Sequence, residues 1–266
     1  MKSVIFLGSS NTFGVGLHTF RPEYLTESGI KELKFPYYEL GEDKEFIREN
    51  RWTNQVSKFL KREEINISAA GGSPAASLYN LNNTDLSDID YIFFEFSGIY
   101  NYHDRFFHGD DYPNTPHEIE AFLTNGKNDR PELRKRIMDW IENYNPKEFI
   151  DGILELLNKK IKELPDKKII ILFWHDAVHG GREKLDFNSE KYSWLKEYMV
   201  KFPTKTDKDN YIVHNFILEN KLRVCDEHPL SKLMNEDIHA GINGNKIVAE
   251  IVINYINEKE TTNSWR

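Results

Sequence analysis

The chain holds one cysteine, Cys225. No intramolecular disulfide can form, so the fold does not depend on an oxidising compartment, and Cys225 reads as a small buried apolar residue. An excess of basic charge is also missing. Thirty-five Lys and Arg stand against 43 Asp and Glu, a formal net charge of −8. A nucleic-acid binder needs a basic face to neutralise phosphates, and this balance argues against that class. Long hydrophobic runs are absent too. Val4–Leu7 stops after four residues, too short for the core of a signal peptide and far too short to span a bilayer, and no later segment qualifies. The expectation is a protein without a membrane partner, in the cytoplasm or on a virus particle. The glycine-rich turn between Gly8 and Gly16 has the spacing of neither G-x-G-x-x-G nor G-x-x-x-x-G-K-[ST]. A nucleotide-binding α/β domain would therefore lack its usual phosphate loop.

What is present suits one sizeable core: 266 residues, 39% hydrophobic and 13% aromatic. Val4–Leu7, Ile65–Ser68, Tyr91–Phe96 and Lys168–Trp174 are short apolar runs with turn signals nearby, the pattern of strands covered on both faces. Between them Trp52, Val56, Phe59 and Leu60 fall at helical spacing. Phe149, Ile153, Leu156, Leu157 and Ile161 do the same before Pro165, and Ile247, Val248, Ile251, Val252 and Ile256 form the face of a last helix. This alternation predicts a three-layer α/β/α domain over residues 1–266 with a central, mostly parallel sheet. Two stretches interrupt it, near 18–50 and 99–130, rich in aromatics, Pro and charge. Both follow strand ends, where an α/β sheet places its ligand crevice, and both read as caps over a site. The polar tail from Lys259 to Arg266 reads as frayed.

Two motifs carry chemistry. Gly8-Ser9-Ser10-Asn11-Thr12-Phe13-Gly14 directly follows the first strand. A Ser in such a turn can present its hydroxyl openly and aim its own N–H at a developing oxyanion; the plainer reading is a helix N-cap. Asn235-Glu236-Asp237-Ile238-His239-Ala240-Gly241 precedes the last helix. A carboxylate two or three residues before a His can hold Nδ1 and leave Nε2 free as a base, which a Ser nucleophile requires. Taken alone, the plainer reading is a solvated turn.

Together these segments resemble the SGNH (GDSL) hydrolases, including members encoded by tailed phages. The resemblance places the nucleophile at Ser10 and the base at His239. It implies an oxyanion hole from the backbone of Ser10 and Gly71, the latter in Asn66-Ile67-Ser68-Ala69-Ala70-Gly71, with Gly72 beside it. Three departures stand out. Ser9 replaces the structural Asp that the family carries before its nucleophile. Glu236 occupies the triad-acid position three before the His, with Asp237 as the competing carboxylate. The family's third-block Asn falls near Ile99 or Tyr100 in strict register, so that Asn101 completes the hole only if the loop bulges.

His103, Asp104, His108 and His117 in the second cap, and His175, Asp176 and His179 after the fourth strand, offer metal-ligand types without a recognised zinc spacing. They read as polar residues at the mouth of the site. No metal and no cofactor is assigned, and Ser9, Gly72, His103 and His175 are expected to meet substrate. The expected function is cleavage of a carboxylic ester, a small polar molecule or an O-acyl group on a glycan. The alternative is a catalytically weak relative that binds a glycan or a protein; the displaced Asn favours it, and the intact Ser10 and His239 oppose it.

Overall fold

A computed structural model describes residues 2–26, 41–68, 74–97, 146–174, 177–178, 183–205, 211–231 and 239–265. Strand β1 (Ser3–Gly8) is buried along its whole length. Its side chains alternate between two cores, Ile5 and Leu7 on one face of the sheet and Val4 and Phe6 on the other. β2 (Glu63–Ser68) pairs with β1 on one side. β3 (Ile89–Phe96) pairs with it on the other, followed by β4 (Lys168–Phe173). The order is β2-β1-β3-β4 and every pairing is parallel. Isolated parallel bridges from Met199 to Ile171 and from Ile212 to Phe173 continue the sheet past β4.

Helices cover both faces, which is why the inner strands read as unbroken apolar runs. One layer contains α3 (Trp52–Leu60), α6 (Val213–Glu219) and α8 (Ile242–Thr262). Trp52, Val56, Val213, Phe216, Val248 and Val252 there pack on Val4, Phe6, Phe93 and Leu172. Phe6 stacks on Phe93 at 4.6 Å between ring centroids and meets Trp52 edge-on at 5.3 Å. The opposite layer contains α4 (Pro74–Asn83) and α5 (Pro146–Lys162), whose Leu78, Leu81, Ile150, Ile153 and Leu157 pack on Leu7, Ile92, Phe94 and Ile171. The chain is thus a three-layer α/β/α protein. Among the described helices, none is long and apolar enough to cross a membrane.

The interruption near 18–50 carries elements of its own, and two other expectations need correction. Leu17–Phe20 and Pro22–Tyr24 form 3-10 turns, and α2 (Gly41–Asn50) contacts α3, α8 and the first of those turns. Ile47 is buried, and the pairing of Arg21 with Asp43 and Glu42 ties the 3-10 turns to α2. Residues 27–40 and the stretch near 99–130 lie outside the described residues. The tail is docked rather than frayed. α8 runs to Thr262, and the Trp265 ring packs edge-on against Tyr91 at 5.8 Å while Lys168 sits 5.5 Å over it. Cys225 is only partly buried, in the short α7 (Val224–Glu227), where Val224 turns inward instead.

Candidate active site

The carboxyl ends of β1, β2 and β3 share one edge of the sheet. Gly8 is in register with Ser68, and Leu7 with Phe94, which places Glu95 of β3 beside Gly8. At that edge β1 breaks into the single-turn helix α1 (Ser10–Phe13), closed by Gly14 in the left-handed region at φ 94°. Ser10 is the first residue of α1 and is partly exposed, whereas Ser9, Asn11 and Thr12 around it are buried. The N–H groups at a helix start have no carbonyl within their own helix to bond, so Ser10 N–H lies where an acceptor can meet it.

His239 arrives from the other end of the chain. The Arg223–Ala240 bridge is antiparallel, with Val224 N donating to His239 O at 2.8 Å and Gly241 N to Leu222 O at 2.8 Å. This pairing holds the segment just ahead of α8. Glu227 reinforces it by accepting from Asn243 N and Gly244 N, each at 2.8 Å, as a carboxylate cap on α8. Gly241 leaves room for that carboxyl group, since a Cβ there would lie 2.5 Å from Glu227 Cδ. Asn245 adds a third tie. Its Nδ2 donates to Ala240 O and Gly241 O, and its Oδ1 accepts from Trp52 N at 3.1 Å. With both segments fixed, His239 Nε2 lies 2.9 Å from Ser10 Oγ across 229 residues of sequence.

A buried carboxyl group lies behind the Ser10 turn. Glu95 is 1% exposed. Its Oε2 accepts from Ser9 N at 3.2 Å and Thr12 N at 3.0 Å, and it contacts the hydroxyls of Ser9 and Thr12. Burial pushes the Glu95 carboxyl above the usual carboxylate range, against the opposite pull of these hydrogen bonds. Burial also raises Glu227, against its two backbone N–H partners. Asn66 joins β2 to the same turn, donating to Thr12 O at 3.2 Å and accepting from Ser68 N at 3.1 Å. His228 braces the chain that follows. It donates from Nε2 to Thr19 O at 2.9 Å, accepts at Nδ1 from Leu230 N at 3.1 Å, and packs on Phe20.

Of the residues expected at the site, Ser10 and His239 come together. Ser9 is a correction: its side chain is buried on Glu95 instead of facing a substrate. Glu236, Asp237, Gly71, Gly72, Asn101, His103 and His175 lie outside the described residues. Sequence reasoning missed Glu95, Glu227 and His228. Only Glu95 carried a signal, as an acidic residue in an otherwise apolar run leading to a strand's end. No family model, no curated protein and no solved structure matches the chain.

Proposed function

We propose that the protein is a serine hydrolase of the SGNH type that cleaves a carboxylic ester. The observation that carries this reading is the 2.9 Å approach of His239 Nε2 to Ser10 Oγ at the carboxyl edge of a parallel sheet. This is the contact a general base needs to take the hydroxyl proton, and apo sites often hold it more loosely. Ser10 Oγ attacks the acyl carbonyl while its proton passes to Nε2. The oxyanion is met by Ser10 N–H and Gly71 N–H, with the Asn101 side chain as a further donor if its loop bulges toward the site. Collapse returns the proton from His239 to the departing alcohol. A water, deprotonated by the same nitrogen, then frees the acid and restores Ser10.

Glu236 or Asp237 orients Nδ1 in this scheme, and the nucleophile is made from Ser and His alone, so no metal or cofactor is required. The aromatic and polar composition of the segments near 18–50 and 99–130 favours a polar ester, such as an O-acyl group on a carbohydrate, over a long-chain lipid. Hydrolysis of short-chain aryl esters tests the proposal. Ser10→Ala and His239→Ala should each abolish it with the fold intact, and the double variant should be no worse than either single one. Full activity in Ser10→Ala would contradict it.

A further inference from the structure

We infer that Glu95 is a positioning residue of this site, holding the Ser9–Thr12 turn in the shape that aims the Ser10 hydroxyl at His239. The inference rests on the hydrolase reading above. Its ground is the arrangement of one carboxyl group around the nucleophile. Glu95 grips the residue before Ser10 and the residue two after it, each through both backbone N–H and side-chain hydroxyl. With Ser9 N and Thr12 N drawn to the same oxygen, the backbone path through Ser10 is set at both ends. Gly8 makes the approach possible. A Cβ there would lie 2.6 Å from Glu95 Oε2 and 2.5 Å from Thr12 Oγ1, so any larger residue would force the carboxyl and the turn apart. A turn that needed only a local cap would not require an acid from a strand 86 residues away, buried at 1% exposure.

The geometry also says which substitute can serve. Oε2 is the atom that collects both backbone N–H groups, while Oε1 faces the Ser9 hydroxyl. A glutamine has the same shape. Its carbonyl oxygen can take the place of Oε2, and its NH₂ can donate to Ser9 Oγ. Alanine offers neither and leaves a void under the turn.

The test combines active-site titration by a fluorophosphonate with hydrolysis of p-nitrophenyl acetate, which gives kcat per competent site. A misplacement of roughly 1 Å at a reacting atom costs on the order of 100-fold. Glu95→Ala should therefore lose about 100-fold in per-site kcat with little change in KM, while Glu95→Gln should lose less than about tenfold. A purely structural role would lower the number of titratable sites and leave the per-site rate alone, and that outcome overturns the inference. If Glu95→Ala does not fold, the Ser9→Ala/Thr12→Val double variant carries the test. It should lose about tenfold or more per site, and a wild-type rate there overturns the inference as well. The two readings fail differently. A wild-type protein that neither reacts with the probe nor hydrolyses the ester removes the hydrolase reading and this inference together. A reactive Ser10 with an unimpaired Glu95→Ala leaves the hydrolase reading standing and removes only the role of Glu95.

Discussion

Replacing Glu227 by Ala should destabilise the protein and blunt the site, although Glu227 makes no described contact with Ser10 or His239. Its carboxylate accepts from Asn243 N and Gly244 N at 2.8 Å each. Loss of a side-chain cap typically costs about 1 kcal/mol, and loss of a negative charge at a helix start adds roughly 0.3–1 kcal/mol. Two bonds are lost here, but water can reach part of the vacated site. The net cost is then about 2 kcal/mol, equivalent to a fall in Tm of about 4–8 °C for a chain of this size. Glu227→Gln keeps one good acceptor and should lose about half as much. Scanning calorimetry measures the two shifts, and under the proposed function p-nitrophenyl acetate hydrolysis on the same samples should show kcat falling, because the capped segment begins two residues after His239. A fall of less than about 1 °C in Glu227→Ala would refute the cap and the reasoning built on it.

The raised Glu95 carboxyl makes stability depend on pH in a definite direction. An acid that holds its proton more tightly folded than unfolded adds stability below the ordinary carboxylate range and loses that contribution as pH rises through its folded pKa. Glu95→Gln has no such proton, so its Tm relative to wild type should climb as pH rises above the ordinary carboxylate range; a difference that stays flat by calorimetry contradicts the burial effect. Gly244→Ala should be strongly destabilising, since its Cβ would lie 2.4 Å from the backbone oxygen of Leu222, and a Tm equal to wild type would show that α8 can shift at no cost. Adjacent side chains diverge, so only one of Glu236→Gln and Asp237→Asn should be severely impaired, with Glu236 favoured on register. Near-full activity in both would leave the orienting of Nδ1 to another group, because the amide of a true triad acid costs about 10⁴ in kcat.

The sheet was legible because its strands are covered twice. Val4–Leu7 is a continuous apolar run, and Tyr91–Phe96 and Lys168–Trp174 are nearly so, because helices bury both faces, and each observed strand lies within two residues of the expected ends. The long helices were legible from one apolar stripe. The helix Pro74–Asn83 was not singled out, because it mixes Ala, Ser, Asn and Leu with little contrast between its faces. The docked tail escaped because two of the partners of Trp265, Tyr91 and Lys168, are far away in sequence. At the site, Ser10 and His239 were legible as residue types that chemistry pairs. Glu95 and Glu227 act through backbone N–H groups, which no sequence spacing reveals. Ser9 shows the limit of reasoning by neighbourhood: it stands next to Ser10 in the chain, yet its hydroxyl turns inward to Glu95.

The most direct measurement is covalent labelling. The protein is treated with a fluorophosphonate, which reacts with an activated serine whatever the natural substrate, and the adduct is located by mass spectrometry of the digested chain. A base-assisted Ser10 predicts one stoichiometric adduct on the peptide containing Ser10, abolished in both Ser10→Ala and His239→Ala. An unlabelled wild-type protein, or an adduct that persists on another residue in Ser10→Ala, would contradict the assignment of Ser10 and His239 as nucleophile and base.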